Sequence, residues 1–146
     1  MPTLLLVHHT PSPAMQALFE AARAGVAQVP DVTLVSRPAL SASASDLLAA
    51  DGVLLGTPAN IGYMSGALKH FFDTVYYPCL EATVGLPYGL YVHGNDDTAG
   101  ALTSIQRITG ALGWKLAAAP LGLTGAPGSA ELEACRELAA TVAVGL

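Results

Sequence analysis

Hydroxyl, amide and glycine residues collect at three points of this sequence, each where an apolar run gives way to a helical pattern. The first is Thr10-Pro11-Ser12-Pro13-Ala14-Met15. Ser12 has the type and position of a helix cap, and Pro13 fits the first helical turn because no N–H bond is lost there. A helix start presents unpaired N–H groups and the positive end of a dipole. The chemistry on offer is therefore anion binding, for instance of a phosphate, with Thr10 and Ser12 as hydroxyl donors. The second point is Thr57-Pro58-Ala59-Asn60-Ile61-Gly62, where Gly62 permits a close backbone approach and Asn60 adds a side-chain amide. The third, His93-Gly94-Asn95-Asp96, places an imidazole, an amide and a carboxylate in a turn. No spacing singles out a catalytic acid, base or nucleophile.

The other reactive residues form no constellation. His8 and His9 are adjacent at the end of an apolar run, so in a strand they point to opposite faces and share no metal. Cys79 and Cys135 are too few and too far apart for a disulfide framework or a zinc site, and read as buried thiols. A net charge of −5 with 12% charged residues leaves no basic stripe for nucleic acid. No stretch approaches the roughly twenty apolar residues that cross a bilayer. The run Leu4 to Val7 lacks a basic start and closes on His8-His9, so a cytoplasmic location is expected. The hydrophobic content of 52% fits strands covered on both faces together with a subunit interface. A homo-oligomer, dimer or tetramer, is expected.

Strand-like and helix-like runs alternate over all 146 residues. This is the pattern of a single α/β domain with a doubly wound parallel sheet. Strands are expected at Leu4–Val7, Val32–Val35, Gly52–Leu55, Leu86–His93 and Lys115–Ala119. The first helix follows Pro13, with Leu18, Ala22, Gly25, Val26 and Val29 on one stripe. The third carries Leu68, Phe71, Phe72 and Val75 inward, and the fourth, from about Thr98 to Leu112, does so with Ala101, Ile105, Ile108 and Leu112. The fifth, capped by Ser129, buries Leu132, Cys135, Leu138 and Val142. Pro38 to Ser45 reads as loop or a weak helical turn, Asp46 to Ala50 is too short to assign, and Gly122 to Gly128 reads as a Gly/Pro loop. Trp114 falls at the sheet end opposite the three polar loops.

The segment from Gly56 to Asp73, Gly-Thr-Pro-Ala-Asn-Ile-Gly-Tyr-Met-Ser-Gly-Ala-Leu-Lys-His-Phe-Phe-Asp, resembles the flavin loop of the flavodoxin-like superfamily. It is most similar to that of NADPH-dependent FMN reductases and NAD(P)H:quinone oxidoreductases. The resemblance implies a three-layer α/β fold with a five-stranded parallel sheet in the order 2-1-3-4-5. Strands one, three and four are then neighbours, and their three polar loops converge on one ligand at the carboxyl edge. It further implies FMN as cofactor. Thr10, Ser12, Ala14 and Met15 would surround the phosphate, and Thr57, Pro58, Ala59, Asn60, Ile61 and Gly62 the ring edge. His93, Gly94, Asn95 and Asp96 would lie at the pyrimidine side and the ribityl chain. Two prolines and Met15 depart from the usual phosphate loop.

Within that superfamily, single-electron carriers are typically very acidic and cover the flavin with aromatic rings. This chain is only mildly acidic, its second loop offers Ile61 and Tyr63, and its one tryptophan lies elsewhere. One flavin face is then open for a nicotinamide, whose reacting carbon must approach within roughly 3–3.5 Å. The resemblance implies an NAD(P)H-dependent oxidoreductase acting on a quinone, flavin or similar small acceptor, with His93, Asp96 or Tyr63 available for proton supply. The alternatives are an electron-transfer flavodoxin and a flavodoxin-like module that has lost flavin. A receiver domain is set aside because Gly56-Thr57 stands where its phosphoacceptor aspartate belongs. A Rossmann domain is set aside because no glycine motif follows the first strand.

Overall fold

The computed structural model describes residues 1–146. Its elements in chain order are β1 (Thr3–His8), α1 (Pro13–Ala27), β2 (Thr33–Pro38), α2 (Ala44–Leu48), β3 (Gly52–Asn60), β4 (Tyr63–Met64), α3 (Gly66–Cys79), β5 (Pro87–Gly94), α4 (Ala99–Leu112), β6 (Lys115–Leu116), β7 (Leu121–Thr124) and α5 (Ser129–Val144). The parallel sheet runs β2-β1-β3-β5, with β6 and β7 sharing the fifth place beside β5. Counted by position this is the expected order 2-1-3-4-5.

The uninterrupted apolar run of β1 is explained by alternation across two covered faces. Leu5 and Val7 join Val53, Leu55, Phe71 and Ile105 in the core under α2, α3 and α4, while Leu4 and Leu6 join Leu54, Met15, Leu18 and Cys135 under α1 and α5. The stripes predicted for α1, α3, α4 and α5 face the core, with Val29, Ile108 and Leu132 half-buried at its margin and the other named residues buried. Trp114 is a core residue at the amino edge of the sheet, its indole N–H donating to Thr83 Oγ1 at 2.9 Å.

Four boundaries differ from the sequence reading. The third strand does not stop at Leu55 but continues to Asn60 and turns back through β4, because its pairing with β5 persists as far as Pro58 opposite His93. The fifth strand is not continuous over Lys115–Ala119: Tyr88 pairs with Leu116 and Tyr91 with Leu121, so the chain around Pro120 carries two residues more than the facing strand. Gly122 consequently lies in β7 and not in a loop. A short α2 forms where only a weak turn was expected, held by a reciprocal cap in which Ser43 Oγ accepts the Asp46 N–H and Asp46 Oδ2 accepts the Ser43 N–H. Finally, Gly128 and not Ser129 caps α5, its N–H donating to Glu131 Oε1 at 3.1 Å.

Candidate functional site

β1, β3 and β5 end side by side at one rim of the sheet, where His8 is level with Gly56 and Pro58 with His93. The last residues of β3 and β5, together with those following β1 and β7, enclose a groove of about 430 Å³. Its lining is Pro11 to Ala14, Pro58 to Asn60, His93 to Asn95, and Gly125 with Ala126. A depression of about 450 Å³ lies against the late part of α1 and the start of β2, lined by Glu20, Arg23 and apolar side chains. It is at the amino edge, so the geometry of open α/β sheets favours the first groove as the ligand site.

The first loop behaves as its residue types demand. Ser12 caps α1, its Oγ accepting the Met15 N–H at 3.2 Å, and its carbonyl accepts the Gln16 N–H at 2.9 Å. Pro13 occupies the first turn. The amides of Ser12 and Ala14 have no partner in the chain and belong to the groove lining. Two of the expected residues lie outside the groove lining. Met15 is fully buried among the residues under α1, because the helical stripe turns its side chain to the sheet. Thr10 is outside the lining, and its Oγ1 lies 2.7 Å from His8 Nδ1. The His8 ring packs on Phe19 with centroids 4.3 Å apart. Burial, then the charges of His9 and Arg23, hold its pKa below 6.5.

At the second loop, Pro58, Ala59 and Asn60 line the groove and Thr57 does not. Strand alternation turns Thr57 to the opposite face, where its Oγ1 accepts the Ser65 N–H at 3.2 Å and lies 2.9 Å from Ser65 Oγ. Ser65 Oγ in turn accepts the Leu68 N–H, so the Thr57 hydroxyl fastens β3 to the start of α3. Ile61 and Gly62, expected at the ring edge, also lie outside the lining, as the tip of the β3–β4 hairpin. Both have positive φ, 52° and 72°, as a two-residue type I′ connection requires. The tip is pressed on α4: a methyl at Gly100 would sit 2.0 Å from the Gly62 carbonyl, and the Met64 N–H reaches Ser104 Oγ at 3.3 Å. Ile61 is wholly exposed.

In the third loop, His93 Nε2 donates to the Gly125 carbonyl at 2.7 Å, which fixes the tautomer and joins this loop to the one after β7. Gly94 is required where it stands, since a methyl there would meet the Asp97 carbonyl at 2.5 Å and the Ala59 methyl at 3.3 Å. Asn95 lines the groove, whereas the exposed Asp96 does not. The fourth loop was missed as a contributor. Its Gly/Pro composition marked it as a loop, but its place at the rim depends on β7 lying directly beside β5. Below this rim Tyr91 lies across Gly56, fully buried, with a hydroxyl that has no hydrogen-bond partner.

The sheet order and the helices on both of its faces are those of a flavodoxin-like α/β fold. No protein-family model matches the chain, and no curated protein matches it. Among solved structures, a flavodoxin from the domain Archaea superposes with a TM-score of 0.85 at 17% identity, over 98% of this chain and 97% of that one. The flavodoxin, WrbA-like protein from Agrobacterium tumefaciens gives 0.79 at 20% identity, over 99% and 97%. An oxidoreductase from Corynebacterium diphtheriae gives 0.71 at 20% identity, over 100% and 98%. No helix of this chain is long and apolar enough to cross a membrane.

Proposed function

We propose that the groove binds FMN and that the protein is an NAD(P)H-dependent oxidoreductase acting on a quinone, flavin or similar small acceptor. The observation that carries this reading is a neutral, polar groove at the carboxyl edge whose lining includes no phenyl, phenol or indole ring. The lining suits the cofactor. Backbone groups of Pro58 to Asn60 and of Gly94 would meet the ring edge, the side chains of Asn60 and Asn95 its polar substituents and ribityl hydroxyls, and Ser12 with Ala14 the phosphate. The bound cofactor supplies the two-electron chemistry, and the protein supplies placement and electrostatics.

Tyr63 and Ile61, the large side chains of the neighbouring hairpin, lie outside the lining, and in this reading a flavin face would stay uncovered. A hydride donor needs such a face. Among the three residues named for proton supply, only His93 lines the groove, and its Nε2 proton is committed to Gly125. With Tyr63 and Asp96 outside the lining and the Nε2 proton of His93 engaged, protons for the bound flavin would come from solvent.

Anaerobic titration of the purified protein with FMN, followed by NADPH, tests the reading by absorption spectroscopy. Rapid bleaching by NADPH is expected. Bound FMN that bleaches only with a strong chemical reductant would make the protein an electron carrier, and failure to bind FMN would overturn the reading altogether.

A further inference from the structure

The segment that opens α1 is short of donors for a dianion. Pro11 and Pro13 carry no N–H, the Met15 amide is spent on Ser12 Oγ, and the Thr10 hydroxyl is engaged by His8. Only the Ser12 and Ala14 amides and one hydroxyl proton remain from this segment in the groove. No lysine or arginine lines it, and the whole chain carries −5. A phosphate monoester near neutral pH carries a charge of about −1.5 to −2 on three strong acceptor oxygens. Removing it from water is costly unless charged or oriented donors replace the lost hydration. The dipole at the start of α1 offsets part of that cost, and the negative field of the protein opposes it. The rest of the groove is different in kind. Pro58 to Asn60, Asn95, Gly125 and Ala126 present uncharged amide groups suited to the ring edge and hydroxyls of an uncharged ligand.

Resting on the flavin reading of this groove, we propose that recognition is made through the ring and the ribityl hydroxyls, with little affinity drawn from the phosphate. The protein is thus a receptor for the dephosphorylated flavin, riboflavin, as well as for FMN. The missing donors are specific: they are the amides that Pro11 and Pro13 lack.

Flavin fluorescence titrations of the full chain with riboflavin and with FMN, at one salt concentration, test this. The two dissociation constants are expected to agree within about tenfold. FMN binding more than about tenfold tighter than riboflavin would overturn the inference and leave the flavin reading standing. Binding of neither would overturn both. Pro13→Ala returns an N–H to the first helical turn and is expected to raise the affinity for FMN relative to that for riboflavin by at least about threefold. A variant with no selective gain for FMN would overturn the assignment of the deficit to the missing amides.

Discussion

Gly56→Ala probes the packing on which the rim rests. The added methyl would lie 2.1 Å from Tyr91 Cζ and 2.3 Å from its hydroxyl oxygen, well inside the roughly 3.5–4.0 Å at which carbon atoms rest in contact. The ring cannot swing away, since it is fully buried in the cluster that also holds Met15, Leu18 and Cys135. Overpacking of this kind costs about 1–3 kcal/mol, and a rigid ring facing backbone places the loss near the top of that range. Tyr91→Leu alone leaves a cavity and costs about 2–4 kcal/mol. In the double variant the new methyl enters the space the ring has left, so the combined loss falls short of the sum by at least about 1 kcal/mol. Urea unfolding followed by circular dichroism measures all three, with the slope of the transition checking that the denatured state is unchanged. Losses that add to within about 0.5 kcal/mol would show that residues 56 and 91 do not press on one another. Tyr91→Phe isolates the hydroxyl. With no partner to lose, its removal leaves stability unchanged or raises it by up to about 1 kcal/mol, and a fall of more than that would reveal a bound partner.

Other positions give independent readings by the same unfolding assay. Ile61→Asn relieves a β-branched residue of positive φ and creates the favoured Asn-Gly pair, so stability should rise by about 1 kcal/mol; a loss would mean that the hairpin tip is not the turn described. Thr83→Val strands the buried indole N–H of Trp114 and should cost about 1–3 kcal/mol, whereas a change below about 0.5 kcal/mol would deny that bond any weight. His8 has a folded pKa below 6.5, so on acidification the unfolded chain takes up this proton first. Its linkage term is therefore flat above that value and turns destabilising as pH falls through it, until the folded value is also passed. Between about pH 8 and pH 5 the parent protein should lose more stability than His8→Gln, and equal losses would contradict the lowered pKa.

Much of the architecture was legible because it follows from pattern. Leu4 to Val7 could be read as a strand buried on both faces, and the inward stripes of the helices follow from their period. The short α2 was legible in principle, since Ser43 and Asp46 have the spacing of a reciprocal cap, but five helical residues give too little periodicity to raise the signal. The continuation of β3 past Leu55 was hidden because Gly56, Thr57 and Pro58 are loop formers by type. What keeps them extended is β5 alongside, a tertiary partner that local propensity does not contain. The break in the fifth strand likewise depends on where Tyr91 finds its neighbour.

For the site, the three-loop convergence was readable from strand ends, yet the part each residue plays within a loop was not. A hydroxyl at a ligand-binding position and a hydroxyl that holds the loop together have the same residue type. Thr57 and Thr10 have their hydroxyl oxygens turned to Ser65 and His8, and the Met15 side chain is set by the helical stripe of α1. Gly94 and Gly56 make the same point from the opposite direction, because each is glycine to admit Ala59 or Tyr91. The rim thus spends much of its conspicuous chemistry on its own rigidity. What it leaves for a ligand is backbone edge, two asparagine amides and the sparse donors at the start of α1. On the proposed reading a groove of that composition would recognise shape and neutral polarity before charge, and the riboflavin–FMN comparison measures that difference directly.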